Sequence, residues 1–456
     1  MIDVALITAP SPVPFSVLAS RHAGTPPLGV AYLASALQQE GYRVGIVDMN
    51  LCSMTRRYLR RFVEIKRPRV VGISALTESF PNAIRIAAMV KKVSERIAVV
   101  VGGPHVTFSP QETLQTGPFD FVVCGEGENT LLELVEYLLK DGKGPDEIPG
   151  LCWRSGAEFC HSSPRPPRQC LDEMPLPARR LLRLDEYPNA GAVITGRGCP
   201  NRCIFCTAGA MFGGKYRRRS PQKVAEEIDR LIDLGVWSLM FLDDTLTADL
   251  ERLDQILYLL DKRGIALPWV CESRADIEDP GFFRKMARAG CTGVQFGVES
   301  GSAEILARLG KGIRLDQVIR AVGEAHRAGI HPVCSLMIGL PDDTERTVLQ
   351  TIEFAAGLQR EFYARVGISI ATPFPGTYLF CHTRKLGVKI EERDYGRYDL
   401  HTPVMRTRHL DRIQIRNLHF EAMDRLRRTA PQGMSNLFPS PAGPEGAVYD
   451  PRDEWV

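Results

Sequence analysis

The sequence has neither a long apolar run nor a large excess of charge of one sign. No uninterrupted apolar stretch in its 456 residues approaches the roughly 20 residues that span a bilayer, and Met1-Ile2-Asp3 lacks the basic region of a signal peptide. The net charge of +3 creates no global field that would attract nucleic acid or an anionic membrane. We therefore expect a cytoplasmic protein with no membrane span and no nucleic-acid partner.

Cysteine is also too rare for a disulfide scaffold. The chain has 12 cysteines, well below the roughly 8 to 10% of disulfide-rich domains, so metal or redox roles are favoured in a reducing compartment. Hydrophobic residues make up 44% and charged residues 24%, which is ordinary for a globular protein and excludes general disorder. The length predicts about three modules.

The first module is predicted over residues 1–140. Short apolar runs rich in β-branched residues alternate there with helical patterns, which is typical of a doubly wound, Rossmann-like α/β sheet with buried parallel strands. The predicted strands cover 4–7, 44–47, 70–73, 98–101 and 119–123, and the predicted helices cover 28–39, 81–96 and 129–140. Residues 141–190 contain eight prolines and a predicted hairpin around 151–160, so we interpret them as a linker.

The alternation of strands and helices starts again after the linker. Six predicted strands cover 192–194, 239–242, 269–271, 293–297, 333–338 and 366–370. Six β/α units over 191–380 favour a partial parallel (β/α)6 barrel, in which chemistry is expected where the strands end.

A small helical region is predicted at the C-terminal end, over residues 381–428. The predicted helix over 409–428 places four apolar residues on one face, namely Leu410, Ile413, Leu418 and Leu426. The tail over 429–456 is rich in Pro and Gly and is predicted to be disordered.

The most specific motif is a loop with three cysteines directly after the first barrel strand. In Gly198-Cys199-Pro200-Asn201-Arg202-Cys203-Ile204-Phe205-Cys206, three thiolates can surround one inorganic centre. Iron–sulfur clusters usually take four thiolates, so a group of three leaves one iron open to another ligand. Two alternatives remain from the residues alone: a structural zinc site, or an electron-transfer cluster completed by a distant thiol such as Cys271 or Cys291.

The Cys-x3-Cys-x2-Cys spacing, with Phe205 before the last cysteine, resembles the radical S-adenosylmethionine (SAM) superfamily. The resemblance implies a 4Fe–4S cluster held by Cys199, Cys203 and Cys206. It further implies that the open iron chelates the amino and carboxylate groups of SAM. An electron from the cluster would then split SAM to give a 5′-deoxyadenosyl radical.

Charged residues at the next strand ends are predicted SAM contacts. Asp243 follows the second barrel strand and is expected to accept hydrogen bonds from an ammonium group, with helix capping by Asp244 or Thr247 as the alternative. Arg274 follows the third strand and is expected to pair with the SAM carboxylate, or else with Glu272.

Three further strand ends complete the predicted SAM site. Glu299 ends the fourth strand and resembles the residue that accepts ribose hydroxyls in relatives. Ile338 and Thr372 lie at the ends of the fifth and sixth strands and resemble adenine-side contacts. Each of these signals is weak alone, and their order along the chain makes the set specific.

Loops at the carboxyl ends of the first sheet are candidates for a second ligand site. The first strand is not followed by Gly-x-Gly-x-x-Gly, which argues against a dinucleotide. The glycines of Gly102-Gly103 and Gly125-Glu126-Gly127 permit close approach of a large flat ligand, although tight turns explain them equally well. Ser74 and Thr77 are candidates for polar contacts to a ligand tail or for capping the next helix.

The first module, the linker and the barrel together resemble the cobalamin-binding radical SAM enzymes, a group that includes class B methyltransferases and the anaerobic magnesium-protoporphyrin ester cyclase. The resemblance covers residues 1 to about 380, and it implies cobalamin at Ser74, Thr77, Gly102, Gly103, Glu126 and Gly127. Asn50 departs from the pattern, since many cobalamin proteins carry a cobalt-binding histidine at that place. A related fold without corrin is the alternative, and we interpret His105 as a loop residue rather than a cobalt ligand.

The predicted function is cobalamin-dependent methylation of an unactivated carbon of a biosynthetic intermediate, started by reductive cleavage of SAM. The expected partners are a small-molecule substrate and a reducing protein such as flavodoxin or ferredoxin. The alternatives are a radical SAM cyclase or rearrangement enzyme without methyl transfer, and a non-catalytic iron–sulfur electron-transfer or sensor protein. The basic run of Lys215, Arg217, Arg218 and Arg219 is interpreted as solvated charge. The sequence does not identify the substrate.

Overall fold

A computed structural model describes residues 1–11, 24–140, 142–279 and 281–430. Within these ranges the chain forms two large sheets and two small two-stranded sheets. The predicted α/β fold class is confirmed, with an N-terminal parallel sheet, a second sheet of six parallel strands and a helical C-terminal region. Among the described residues, no helix is both long and apolar enough to cross a membrane.

The first sheet begins with five parallel strands. They are β1 (Val4–Thr8), β2 (Val44–Asp48), β3 (Val70–Ser74), β4 (Ala98–Gly102) and β5 (Phe121–Val123). The predicted hairpin, β6 (Leu151–Ser155) and β7 (Glu158–His161), continues this sheet, with β6 antiparallel to β5. The strand order is β2-β1-β3-β4-β5-β6-β7. Because the winding direction reverses between β1 and β3, a ligand crevice is expected at the carboxyl ends of these strands.

Helices cover both faces of the first sheet. They are α1 (Leu28–Gln39), α2 (Arg56–Lys66), α3 (Phe80–Val93), α4 (Pro104–Phe108), α5 (Pro110–Thr116) and α6 (Gly127–Lys140). Successive strand residues point to opposite faces, so Ile73 packs in the core with α2 and α3, and Leu6 packs in the core with α1 and α6. Burial on both faces explains why these strands are continuous apolar runs in the sequence.

The second module contains eight strands. In chain order they are β8 (Ala192–Val193), β9 (Gly196–Arg197), β10 (Arg217–Arg218), β11 (Leu239–Phe241), β12 (Trp269–Ser273), β13 (Cys291–Glu299), β14 (His331–Ile338) and β15 (Arg365–Ile370). Six of them form a parallel sheet with the order β15-β14-β13-β12-β11-β8. The other two, β9 and β10, form a separate antiparallel pair. All six predicted barrel strands are therefore present and neighbours along the sheet.

Helices surround this second sheet on its outer side. They are α8 (Pro221–Asp233), α9 (Leu250–Lys262), α10 (Phe282–Arg288), α11 (Ala303–Arg308), α12 (Leu315–Arg327) and α13 (Glu345–Phe362), whereas the short helix α7 (Ala208–Met211) lies in the loop between β9 and β10. The chain then forms α14 (Tyr378–Cys381), the antiparallel pair β16 (Lys389–Ile390) and β17 (Met405–Arg406), and α15 (Arg412–Thr429). Strand residues such as Phe241, Trp269 and Phe296 pack in the core beneath the helices.

The predicted apolar face of the C-terminal helix was partly wrong. Leu418 and Leu426 are buried, but Ile413 is 61% exposed and Leu410 precedes the helix, which begins at Arg412. The buried residues follow the three- and four-residue spacing of one helical face, and they are Ile415, Leu418, His419, Ala422 and Leu426. The predicted disordered tail lies outside the described residues, apart from Thr429 at the end of α15 and the following residue.

A buried ion pair joins the segment 141–190, predicted as a linker, to the second module. Glu227 on α8 is 2% exposed and accepts hydrogen bonds from Arg179 Nη2 at 2.5 Å and from Arg219. We expect Glu227→Ala to lower the free energy of unfolding by about 3–5 kcal/mol, because removing one partner leaves buried charge without compensation. Urea denaturation measures this loss.

Glu226→Ala is the matched control for this prediction. Glu226 lies next to Glu227 on α8, but its ion pair with Lys223 is nearly half exposed, and exposed pairs contribute little. Equal stability of the two variants would contradict the structural role of Glu227.

Candidate cofactor sites at the ends of the two sheets

The three-cysteine loop is a hairpin whose base is the β9–β10 pair. Cys199, Cys203 and Cys206 all line one cavity of about 320 Å³ at the mouth of the second sheet. The Asn201 side-chain amide donates a hydrogen bond to Cys199 Sγ at 3.2 Å, and the Ala208 backbone N–H donates to Cys206 Sγ at 3.4 Å. Such donors are typical of sulfurs that bind iron. The structure therefore brings the three predicted cluster ligands to one cavity.

The cavity has no fourth cysteine among its described lining residues. Cys271 and Cys291, the distant thiols considered above, are each 4% exposed in the hydrophobic core. A hydrogen bond between their side chains raises the pKa of Cys271 well above its usual range, and burial raises it further. Neither can complete a cluster without leaving this core, so the donor set of the loop fits a cluster with one open coordination position.

The described ranges contain no group of three or more His, Cys, Asp or Glu side chains arranged to hold a single metal ion. The three thiols instead border a cavity, as is needed when each binds a different iron of a cluster. Burial raises the pKa of Cys203, so its thiol is protonated in the metal-free protein. Metal binding to this loop would therefore release protons.

Three of the predicted SAM contacts, Asp243, Arg274 and Glu299, line the same cavity. Arg274 donates to Asp276 at 2.9 and 2.7 Å and to the Lys311 backbone carbonyl at 2.7 Å. The carboxylate partner of Arg274 at these distances is therefore Asp276, which lies two residues further along the chain. Glu299 forms an ion pair with Lys311, and both side chains are about 90% buried. Lys311 was missed because its Gly-Lys-Gly context carries no recognisable motif.

Backbone strain marks the end of β13. Glu299 has φ of 70°, an uncommon conformation for a residue other than glycine, and such strain often occurs at functional sites. Gly297 leaves space beside it, because a Cβ there would lie 2.3 Å from Lys311 Nζ and 2.6 Å from Glu299 Oε1 and would displace these side chains. The glycine thus makes room for a charged pair at the mouth of the sheet.

Asp243 and Asp244 lie in different surroundings. Asp243 is 2% exposed, and its carboxylate accepts hydrogen bonds from the Thr195 backbone N–H at 3.1 Å and from the Thr195 hydroxyl at 2.8 Å. Burial raises the pKa of Asp243 to about 6. Asp244 is exposed at the cavity and accepts a hydrogen bond from the Gly198 backbone N–H at 3.2 Å. Neither Asp244 nor Thr247 caps the next helix, because Asp249 does.

Ile338 and Thr372 are not brought to this cavity. They are 1% and 4% exposed, and the Thr372 hydroxyl donates to the Ile370 carbonyl at 3.0 Å. Other polar residues of the second sheet line this cavity instead, among them Glu272, Gln295 and Ser335. The alternation of buried and partly exposed residues along β12, β13 and β14 is the signal that identifies them.

A second cavity, of about 300 Å³, lies at the carboxyl ends of the first sheet. Five of the six predicted cobalamin contacts line it, and they are Ser74, Gly102, Gly103, Glu126 and Gly127. Its walls are mainly apolar and include Leu6, Val100 and Leu131 between the sheet and helices α1 and α6. The crevice expected from the strand order is therefore present.

Thr77, the sixth predicted contact, lies outside this cavity. Its hydroxyl is 3.3 Å from His105 Nδ1, and the His105 ring packs 4.2 Å from Phe80 and 4.5 Å from Tyr395. Burial lowers the pKa of His105 to about 4. Neither Ser74 nor Thr77 caps α3, whose N-cap residue is Ser79.

Asn50, at the place of the cobalt-binding histidine, is hydrogen-bonded to the neighbouring Asp48. Its side-chain amide donates to Asp48 at 2.9 Å, and Tyr187 donates to the same carboxylate at 2.8 Å. Burial raises the pKa of Asp48. No histidine of the described residues lines either cavity.

Glycines give the second cavity the shape of a slot. A Cβ added at Gly29 or Gly125 would meet no atom within 4 Å, and both residues line the cavity. At Gly103, where φ is 112°, a Cβ would lie 2.5 Å from the Ala75 carbonyl oxygen, so close packing of two loops requires glycine there. An apolar slot with open glycine walls fits a flat organic group such as part of a corrin cofactor.

The two cavities are adjacent. Leu242 and Asp244, which follow β11, line both of them. Ile194, Gly196 and Arg197 of the second module also line the cavity of the first sheet. A ligand in either cavity therefore lies beside the same two residues, Leu242 and Asp244.

The basic run after the cysteine loop is mostly structural. Arg217 is buried against Glu126, and Arg219 is buried against Glu227, so the interpretation of these two as solvated charge was wrong. Arg218 pairs with Asp249 at the surface, and Lys215 is exposed.

Comparisons with known proteins agree with this arrangement. A family model for the radical SAM superfamily matches residues 193–355, and a model for the B12 binding domain matches residues 16–135. An uncharacterized methyltransferase, PH0819, of Pyrococcus horikoshii is 38% identical over 401 residues, covering 86% of each chain. The anaerobic magnesium-protoporphyrin IX monomethyl ester cyclase of Rubrivivax gelatinosus is 28% identical, covering 86% of this chain and 71% of the cyclase.

A solved structure shares the whole fold. The radical S-adenosylmethionine methyltransferase TsrM from Kitasatospora setae, determined with cobalamin and a 4Fe–4S cluster bound, has a TM-score of 0.75 and 18% identity. The match covers 98% of this chain and 92% of TsrM. Both modules therefore occur together in a known architecture.

Proposed function

This chain belongs to the cobalamin-binding radical SAM superfamily, and from that membership we propose that it methylates an unactivated carbon of a small or medium-sized biosynthetic intermediate. The cofactors of the superfamily are a 4Fe–4S cluster, SAM and cobalamin, which when bound supply the radical and the methyl group. The protein supplies binding, orientation and exclusion of water.

The adjacency of the two cavities carries this proposal. Methyl transfer to a carbon radical needs the radical-forming site and the methyl donor to face one substrate, since reacting groups must be held close together. Here the cavity with three cysteines and the cavity of the first sheet share Leu242 and Asp244. We place the substrate at this shared wall.

We assign the cluster to Cys199, Cys203 and Cys206. For SAM, we propose Asp244 as the acceptor for the amino group, in place of Asp243, whose carboxylate is held by Thr195. Arg274, Glu272 and the pair of Glu299 with Lys311 are further charged groups at this cavity. Ile338 and Thr372 stay predictions for the adenine side.

We assign the slot of the first sheet to cobalamin. Ser74, Gly102, Gly103 and Gly127 border it, and the apolar walls exclude water from a buried organic group. Thr77 stays a prediction, because its hydroxyl faces His105. None of the described residues that line the slot is a histidine.

The reaction needs an external electron donor, and we propose flavodoxin or ferredoxin. Cys206 is exposed, so a donor can approach the cluster loop. Arg202 and Lys215 are exposed on the same loop, and they favour a donor with an acidic surface. All 12 cysteines are free thiols, which supports a cytoplasmic location.

The proposal is tested with the anaerobically reconstituted enzyme, hydroxocobalamin, a low-potential reductant and SAM. Two products are expected without substrate: 5′-deoxyadenosine from reductive cleavage, and S-adenosylhomocysteine from methylation of the reduced cobalamin. Both are measured by liquid chromatography and mass spectrometry, and methylcobalamin is followed by absorbance. With a candidate substrate, SAM labelled in its methyl group should give a product carrying that label.

Each alternative predicts a different result. Formation of 5′-deoxyadenosine without S-adenosylhomocysteine or methylcobalamin would contradict methyl transfer and favour a cyclase or rearrangement enzyme. Absence of 5′-deoxyadenosine from cluster-loaded enzyme would favour the non-catalytic electron-transfer protein.

A further inference from the structure

Two arginines stand opposite each other at the base of the cysteine hairpin. Arg197 on β9 pairs in register with Arg217 on β10. The loop between them, residues 198–216, contains Cys199, Cys203 and Cys206. This two-stranded base is therefore one of the anchors of the loop that carries the three thiols, together with backbone hydrogen bonds of Ile204 to Leu309 and Leu379.

One carboxylate from the first module holds both sides of this base. Glu126 Oε1 accepts hydrogen bonds from Arg197 Nη1 at 3.0 Å and from Arg217 Nη2 at 2.8 Å. Glu126 Oε2 accepts from Arg217 Nη1 at 2.9 Å and from the Arg168 backbone N–H at 3.0 Å. Glu126 lies in the turn after β5, which borders the slot of the first sheet.

This contact is buried and charged. The side chains of Arg217 and Glu126 are 5% and 9% exposed. Burial alone would raise the pKa of Glu126, but the guanidinium groups of Arg217 and Arg197 hold it below its usual value, so the carboxylate stays ionised. Glu128 accepts a hydrogen bond from Arg197 Nη2 at 2.6 Å. The Arg197 guanidinium also lies 5.5 Å from the centre of the Tyr32 ring on α1.

The hydrogen bonds that Glu126 accepts within the protein leave its carboxylate few free lone pairs for a ligand. Its two oxygens already accept four hydrogen bonds, three of them from guanidinium groups, and charge-assisted bonds of this kind are strong and directional. The predicted role of Glu126 as a direct cobalamin contact is therefore less well supported than a role between the modules.

We propose that Glu126 is a positioning residue that couples the two cofactor sites: through Arg197 and Arg217 it holds the cluster loop at a fixed place relative to the slot of the first sheet. This inference rests on the proposed function, since it takes the slot as the cobalamin site and the loop as the cluster site. Ligand binding that orders the turn after β5 is then transmitted to the base of the hairpin. By thermodynamic linkage, the cluster must affect cobalamin affinity by the same factor.

The test uses Glu126→Gln, which keeps the size of the side chain and removes its charge. Hydrogen–deuterium exchange of residues 198–216 is measured in the cluster-loaded enzyme with and without hydroxocobalamin. In the wild type we expect cobalamin to slow exchange in this loop by about 5-fold or more, the lower end of typical coupling between sites. In Glu126→Gln we expect this protection to disappear, although both cofactors still bind. Glu126→Asp, which keeps the charge on a shorter side chain, should retain part of it.

Glu133→Gln is the matched control. Glu133 lies on α6, the helix that follows Glu126, and it pairs at 2.7 Å with Arg165, which is not part of the hairpin base. This variant should keep the protection of residues 198–216.

The outcomes separate this inference from the proposed function. Failure of wild-type enzyme to bind cobalamin would refute the proposed function itself. If cobalamin binds and Glu126→Gln keeps the full protection of the loop, the coupling role is refuted. Faster exchange across both modules, equal in Glu126→Gln and Glu126→Asp, would also refute it, because that result indicates only a loss of stability.

Discussion

Cys203→Ala is expected to abolish the iron–sulfur cluster and SAM cleavage while the first sheet stays folded. Cys203 is the central thiol of a set that offers only three donors to one cavity. With two thiols left, the loop cannot hold a cluster that usually takes four ligands, and no buried thiol nearby is free to replace it, since Cys271 and Cys291 lie in the core. Formation of 5′-deoxyadenosine should fall to background.

The measurement combines iron and sulfide content, the electron paramagnetic resonance signal of the reduced cluster, and 5′-deoxyadenosine formation. Cys52→Ala is the matched control, because Cys52 is an exposed free thiol that lines neither cavity. That variant should keep its cluster and its activity. A Cys203→Ala protein that still assembled the cluster and cleaved SAM would show that the three cysteines are not the ligand set.

The strands of both modules were predictable because of how they are buried. A parallel strand covered on both faces is a nearly continuous apolar run, as Val70–Ser74 and Ala98–Gly102 show. Helix α2 was missed, because Arg56–Lys66 carries so much charge that only Leu59 and Val63 are buried. The hairpin of β6 and β7 was predicted, but its pairing with β5 depends on contacts distant in the chain.

The different exposure of Asp243 and Asp244 is predictable from the alternation of buried and exposed residues along the strand, which a motif does not describe. Leu239 and Phe241 are buried under the helices, whereas Met240 and Leu242 face inward and are partly exposed. Continuing this alternation predicts a buried Asp243 and an exposed Asp244, although both line the cavity. Strand phase therefore predicts which of the two carboxylates is exposed, and the assignment of the SAM contact stays a prediction.

Contacts between modules were not predictable from local pattern. Arg217 resembles surface charge in the sequence because its partner, Glu126, lies in the first module. A buried arginine becomes favourable only when a carboxylate is held in reach, and that depends on the packing of two modules. The three cysteines needed no such information, because their spacing within one loop already brings them together.

Gly29→Leu is expected to prevent cobalamin binding without unfolding the protein. Gly29 is the second residue of α1 and lines the slot, and a Cβ there meets nothing within 4 Å. A leucine side chain would occupy that space, and even one misfit methylene in an apolar site changes binding by roughly 10- to 200-fold. We expect cobalamin affinity to fall by at least about 100-fold. Helix formation should improve, since glycine is a poor helix former.

The measurement is the amount of hydroxocobalamin retained by reconstituted enzyme after gel filtration, with affinity from a fluorescence titration. Gly357→Leu is the control, because Gly357 also lies within a helix, has nothing within 4 Å of its added Cβ, and lines neither cavity. Because the cluster loop lies in the second module, Gly29→Leu should still cleave SAM to 5′-deoxyadenosine while forming no methylcobalamin. Full cobalamin retention by Gly29→Leu would mean that the slot between the first sheet and α1 does not hold the cofactor, and that the methyl donor has to be placed elsewhere in the molecule.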